Sequence, residues 1–267
     1  MRPLCDDASV TSPAPTQYAD DRNLRARQRL WECQELRLDL VGWTLDLAGV
    51  VAGDRVLDVG CGNGAYLRGL ASRQVDAVGA DLSLGMLRNA HWPRLTNADI
   101  VQLPFPDDSF DAVLAPHMLY HVPDRRAAAL EARRVLRPGG SAVFVTNGAD
   151  HIASLRELVE TAVRRADPDW AMENPSTHVF SLENGAEQLA CAFDTIECKQ
   201  PASIVPARLK TATIAADYVA SVEDHYASEI SQPWSAVVEF VRSQVATLIE
   251  RDGHFAVGSV LGAFVCT

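Results

Sequence analysis

Three glycines and a scatter of acids and imidazoles carry the chemistry that this chain could do. Asp58 stands two residues ahead of Gly60, and glycine recurs at Gly62 and Gly64, with Cys61 between the first pair. An apolar run of strand type therefore ends in a turn without Cβ atoms at alternate positions, which lets another group come close to the main chain. Further along, Asp81 closes DAVGAD ahead of Leu82, Asp99 and Ile100 sit in NADIVQ, and Ala115 precedes His117, Tyr120 and His121. A carboxylate can accept two hydroxyls at once, and imidazole is the side chain best poised to take a proton near neutral pH. Together these residues offer a cradle for a polar ligand with a proton acceptor nearby. Read alone, the glycines together with Ala65 also satisfy G-x-G-x-x-[GA], the dinucleotide fingerprint, so the turn by itself does not choose between nucleoside ligands.

The elements that would position these residues follow from periodicity. From Asp20, an N-cap candidate, Leu24, Trp31, Leu38 and Leu45 recur at helical spacing. After Gly53 the chain alternates apolar runs at 55–60, 76–81, 98–102, 111–116 and 140–147 with helical segments at 64–73, 83–91 and 123–136. That alternation predicts parallel strands joined by right-handed crossovers, a doubly wound α/β sheet whose ligands lie beyond the carboxyl ends of the strands. Pro138-Gly139-Gly140 reads as a helix-to-strand turn. Helices are expected near 150–166 and 184–192, a strand at TIECKQPASIV, helices over 207–251 and an apolar strand over 254–266. The expected organisation is a flexible N-terminus with lid helices over 1–48, a Rossmann-like core over 49–206, a helical cap over 207–252 and a final core strand over 253–267. Residues 1–17, rich in Pro, Ser and Thr, are expected to be loose.

With an acid before G-x-G-x-G, the sequence resembles the class I S-adenosylmethionine-dependent methyltransferases, and the resemblance continues through VGADLS, NADIVQLPF, LPFPDDSFDAVLAPHMLYHVPD and VLRPGGSAVFV. The last two blocks look like the branch that contains the ubiquinone and menaquinone biosynthesis enzymes and many small-molecule enzymes of bacterial specialised metabolism. The resemblance implies a seven-stranded, mostly parallel sheet with an antiparallel last strand. It also implies S-adenosylmethionine as cofactor, held by Asp58, Gly60, Cys61, Gly62, Gly64, Asp81, Leu82, Asp99, Ile100 and Ala115. Asp81 would take the ribose hydroxyls, and Asp99 and the Ile100 N–H the adenine. A close glycine turn opening a helix would offer N–H groups and a positive dipole end to the cofactor's carboxylate. Tyr18 and Arg27, in an N-terminal segment that also carries Arg22, Arg25 and Arg29, would close over that carboxylate, with a solvated charged face as the plain alternative.

For the transfer itself, His117 and His121 are the catalytic candidates, with packing at a helix start as the alternative for His121. APHM departs from the [ND]-P-P-[YF] block of enzymes that methylate base amino groups and glutamine amides, which disfavours those acceptors. Trp170, Met172, Tyr218, His225, Tyr226 and Trp234 could line an apolar acceptor or simply pack a core.

Bulk properties narrow the partners. The 267 residues carry a net charge of −11, with 35 acids against 24 Lys and Arg, which argues against nucleic acid. Six cysteines lack C-x-x-C spacing, so reduced thiols in the cytoplasm are expected, with neither disulfide framework nor metal site. No apolar run is long enough to span a bilayer. The expected function is O- or N-methylation of a small organic acceptor, a natural product such as one of antibiotic biosynthesis, and a homodimer is left open. The competing readings are a cofactor-binding protein that transfers nothing and a nicotinamide-dependent oxidoreductase.

Overall fold

A computed structural model describes residues 18–170, 179–226 and 230–267. The expectations for residues 1–17 and for Met172 lie outside them.

The N-terminal segment forms α1 (Arg22–Trp31) and α2 (Leu40–Ala48). The expected cap is corrected: Asp20 takes the Arg22 N–H at 3.0 Å but lies outside the helix start, whereas Asp39 caps α2 by accepting from the Gly42 N–H at 2.9 Å. Leu38 falls in the link between the helices.

From Arg55 the alternation runs β1 (Arg55–Val59), α3 (Ala65–Ser72), β2 (Asp76–Asp81), α4 (Leu84–Ala90), β3 (Leu95–Asn97), β4 (Phe110–Pro116), α5 (Arg125–Val135) and β5 (Leu136–Asn147). Then come α6 (Ala153–Ala166), α7 (Gly185–Leu189), β6 (Ile196–Lys199), β7 (Ala207–Leu209), α8 (Ala212–Ala220), α9 (Trp234–Asp252), β8 (Phe255–Val257) and β9 (Leu261–Cys266). Seven strands form one sheet in the order β3-β2-β1-β4-β5-β9-β6, parallel except for β9, which runs antiparallel to both β5 and β6. The order reverses at β1 and β4, and a doubly wound sheet opens its ligand crevice at such a switch point.

Both faces of the sheet are covered, which explains why its central strands read as unbroken apolar runs. Leu57, Val59, Phe110, Phe144 and Phe264 pack on one side; Leu45, Val56, Leu67, Leu70, Val143 and Val145 pack on the other. A third apolar cluster lies off the sheet: Leu30 of α1, Val159 of α6, Val219 of α8, and Trp234 and Val241 of α9 gather around the ribbon β7–β8.

Three expectations change. The third strand is Leu95–Asn97, not 98–102, because Asp99 Oδ1 accepts the Val101 N–H at 3.1 Å and turns the chain there. Pro138-Gly139-Gly140 lies within β5 as an irregularity: Gly139 has φ 79°, and the register against β4 shifts between Phe110 and Ala112. The segment over 207–251, expected to be helical, starts with β7, and the final apolar run is two strands, β8 paired with β7 and β9 in the main sheet. Among the described residues no helix is long and apolar enough to cross a membrane, and no group of three or more His, Cys, Asp and Glu could hold a metal ion.

Candidate active site

The glycine turn leaves β1 and doubles back into α3 with Gly60, Gly62 and Gly64 all at positive φ (69°, 52° and 79°). Such angles cost a residue with a Cβ about 1–2 kcal/mol. At Gly60 space matters too, since a Cβ there would stand 2.9 Å from Met118 Cβ. The turn is tied to β2: the Gly60 and Cys61 N–H groups donate to the Ala80 carbonyl at 2.8 and 3.0 Å. Asp81 completes the tie, one oxygen accepting from the Gly62 N–H and the other from the Ser83 N–H, both at 2.8 Å. With Gly64 N–H donating to the Cys61 carbonyl at 2.9 Å, four of the turn's donors are already engaged. The Asn63 N–H and the first-turn N–H groups of α3 are the backbone donors left at this end.

Below the turn lies an unusual group. Asp58 is fully buried, and neither of its oxygens has a hydrogen-bond partner. Burial, and secondarily the charge of Asp81, push its carboxyl up to about 8. Burial also raises Asp81, against the lowering effect of its two N–H donors. Cys61 is buried at the turn, its thiol pushed up by burial. Leu82 is exposed, and its carbonyl accepts from Asn97 Nδ2 at 2.8 Å. Asp99 is exposed beside buried Ile100, and Ala115 is buried in β4.

The N-terminal segment lies over this turn. Leu24 of α1 would be 3.5 Å from a Cβ at Gly62, and the Ser83 hydroxyl donates to the Tyr18 carbonyl at 2.6 Å. The Tyr18 hydroxyl accepts from Arg27 Nη1 at 3.0 Å, which leaves its hydrogen for His121 Nε2 at 2.9 Å. Arg27 also donates through Nη2 to the Ser221 carbonyl at 2.6 Å, at the end of α8. Tyr18 and Arg27 of the N-terminal segment, His121 beyond β4 and Ser221 at the end of α8 thus meet in one cluster.

A model of the family described as "Methyltransferase domain" matches residues 57–144, the stretch from β1 through most of β5. The chain is 34% identical over 164 residues to the demethylmenaquinone methyltransferase of Corynebacterium urealyticum, an alignment covering 59% of this chain and 67% of that one. The chain belongs to the S-adenosylmethionine-dependent methyltransferases. It is also 40% identical over 109 residues, 35% of its length, to the 27-O-demethylrifamycin SV methyltransferase of Amycolatopsis mediterranei, of which it covers 40%. A crystal structure of an Anabaena variabilis protein assigned as a methyltransferase of an antibiotic biosynthesis pathway matches with TM-score 0.61 at 14% identity, covering 85% of this chain and 96% of that one; at that identity it speaks for the fold. The chain spans 43% to 67% of the length of the first demethylmenaquinone methyltransferases it matches. Membership of this family removes the nicotinamide reading of the glycine turn.

Met118, the residue after His117, is the side chain that would meet a Cβ at Gly60, so the end of β4 adjoins the glycine turn. His117 follows β4 in a left-handed conformation (φ 54°), and its N–H donates to the Val145 carbonyl of β5 at 2.9 Å. Burial lowers its imidazole to about 4, so it is neutral at physiological pH. His121 by contrast is edge-on to Tyr18 and Tyr120 at centroid distances of 5.4 and 4.5 Å, within the lid cluster. Of the aromatic candidates, Trp170 and Trp234 are buried in the off-sheet cluster and Tyr226 stacks on Trp234 at 5.1 Å, so those three pack the cap. Tyr218 is near enough to Tyr18 and Arg27 for their charges to act on its phenol.

Sequence reasoning missed Met118, Ser83, Ser221 and His151. Ser83 had a readable signal, as a Ser before an apolar helical run, and it caps α4 by accepting the Met86 N–H at 3.2 Å. Ser221 had none, since its partner Arg27 is 194 residues away.

Proposed function

We propose that this chain transfers a methyl group from S-adenosylmethionine to an oxygen or nitrogen of a small organic molecule, a natural product, in the cytoplasm. The observation that carries the reading is the buried, unpartnered Asp58 carboxyl beneath a glycine turn that Asp81 ties down. An orphan buried acid costs about 1–3 kcal/mol or more, a cost that a cationic ligand group repays. The fit is good: Asp58 faces the need for an ammonium partner, Asp81 keeps a spare lone pair on each oxygen for the ribose hydroxyls, and Asp99 with the Ile100 N–H would hold the adenine edge.

When bound, the cofactor supplies an activated methyl group on sulfur. Everything else falls to the chain. His117, neutral and adjoining the cradle through Met118, takes the proton from the acceptor's hydroxyl or amine and later returns it to water. Tyr18 and Arg27 close over the cofactor's amino-acid end and keep water out. The rifamycin relative supports an O-methylated natural product, and the five described cysteines, all free, suit a reducing compartment.

Calorimetry with S-adenosylhomocysteine tests the cofactor assignment, and turnover across a panel of hydroxylated and aminated acceptors tests the transfer. His117→Ala is expected to lower kcat about 10²–10⁴-fold with cofactor affinity unchanged. Unchanged turnover would remove His117 from the mechanism, and tight cofactor binding without turnover on any acceptor would favour a binding module instead.

A further inference from the structure

One glycine stands where its own backbone gives it no reason to be. Gly85 is the second residue of α4, without a positive φ, at a place where glycine weakens a helix relative to alanine. Its neighbour supplies the reason. A Cβ at Gly85 would fall on the Ala19 carbonyl oxygen, with the Ala19 carbonyl carbon at 2.6 Å, so the backbone of the N-terminal segment rests directly on the first turn of α4. Beside this contact the Ser83 hydroxyl donates to the Tyr18 carbonyl at 2.6 Å while accepting the Met86 N–H at 3.2 Å. One hydroxyl thus caps α4 and ties the segment down. The Ser83 N–H is in turn held by Asp81 at 2.8 Å, which makes this seat continuous with the acid that also holds the glycine turn.

The far end of α1 is anchored differently. Leu30 is fully buried in the off-sheet cluster, the Cys33 carbonyl accepts the Arg208 N–H of β7 at 3.0 Å, and Gln34 Nε2 donates to the Val205 carbonyl at 2.7 Å. Midway along, Arg27 holds the Ser221 carbonyl. At the start, Arg22 and Arg25 are exposed and pair with Asp20 and Asp21 of their own segment. The helix is therefore a flap, built into the cap at one end and seated on α4 at the other. Each of these ties joins one part of the chain to another, so the seat needs no ligand to form.

We propose that the first turn of α4 is the seat that holds this flap shut over the nucleoside site, with Gly85 and Ser83 as positioning residues for Tyr18 and for the hydroxyl that Tyr18 gives to His121. The proposal rests on the methyl-transfer reading and adds to it the motion that paces cofactor exchange. The nucleoside leaves when residues 18–25 lift off Gly85 and Ser83. The Leu30 end stays in place.

The test is trypsin cleavage of the full chain after Arg22 and after Arg29, read by mass spectrometry with and without S-adenosylhomocysteine, beside stopped-flow release of that compound. Both arginines are exposed, so the second, at the anchored end, is the internal control. Gly85→Ala favours the helix but puts a methyl group in the seat; Ser83→Asp keeps a favoured N-cap but has no hydrogen for the Tyr18 carbonyl. Both variants are expected to raise cleavage after Arg22 about tenfold in either condition, to leave cleavage after Arg29 at the wild-type rate, and to keep Tm within about 3 °C of wild type. Gly85→Ala is also expected to release S-adenosylhomocysteine about tenfold faster. Unchanged cleavage after Arg22 in either variant, an equal rise after Arg29, release from Gly85→Ala at the wild-type rate, or a larger fall in Tm for both variants would each overturn the proposal. Failure of the wild type to bind S-adenosylhomocysteine would instead overturn the cofactor reading, while cleavage of the ligand-free protein still judges the seat.

Discussion

The two halves of the cleft satisfy their polar groups in opposite ways. At the ends of β1 and β2 most groups are used internally: four of the turn's N–H groups go to Ala80, Cys61 and Asp81, while the Asp58 carboxyl has no partner among the described residues. At the ends of β4 and β5 the backbone is paired but the side chains of His117 and Asn147 are not. The first arrangement is a rigid backbone mould, which suits a ligand common to a whole family. The second leaves recognition to side chains, which one substitution can retune.

The sharpest way to break this contrast is at Asp81. Its carboxylate holds two N–H groups, and charge-assisted bonds contribute roughly 1.5–3 kcal/mol each. Asp81→Ala should therefore weaken S-adenosylhomocysteine by at least about a hundredfold in calorimetry while substitution of Asn147 leaves it alone. Affinity within threefold of wild type would mean that the turn supports itself.

A smaller effect should separate the halves by pH. Asp58 has its folded value raised to about 8 from 3.8, so ligand-free protein loses stability as pH climbs through that interval. His151 has its value lowered to about 3 from 6.5, so stability is lost as pH falls below 6.5. Each arm should slope by up to about 1.4 kcal/mol per pH unit. Between 3.8 and 6.5 the two contributions oppose each other, so in denaturant titrations Asp58→Asn should abolish the fall in stability from 6.5 to 8 and steepen the fall below 6.5, whereas His151→Gln should weaken only the fall below 6.5, to which His117 also adds; a single variant that flattens both sides would mean that the two regions titrate as one.

The smallest effect is expected at the lid. Tyr18→Phe removes the hydroxyl that links Arg27 to His121 and should speed proteolysis within α1 a few-fold, most visibly with S-adenosylhomocysteine bound. Equal cleavage rates would detach the lid from the cofactor.

The same contrast governs what could be read from the sequence. The glycine turn, Asp58 and Asp81 were legible because their roles are local: positive φ demands glycine, and each acid stands at the end of an apolar run. The central strands were legible because burial on both faces makes them continuously apolar. The acceptor side was half legible. His117 showed as a proton acceptor at a strand end, but nothing local marks Asn147 as unpartnered, since that depends on what the folded surroundings fail to provide. The cap was misread where a three-residue strand, Ala207–Leu209, finds its partner at Phe255–Val257, far along the chain; so short a segment has no period to detect. Asp99 drew the third strand too far because its side chain, not the apolar pattern, turns the backbone.

The position of β9 between β5 and β6 sets an order of assembly. Ile196–Lys199 has no neighbour in the main sheet other than Leu261–Cys266, some sixty residues later. Until that late stretch is synthesised, β5 keeps a bare edge and β6 has nowhere to dock. On the ribosome the half from β1 to β4 can mature early, while the half beyond β5 waits for β9 to be threaded between its neighbours. That interval is when the nascent chain is most open to mispairing, and when a chaperone would have most to protect.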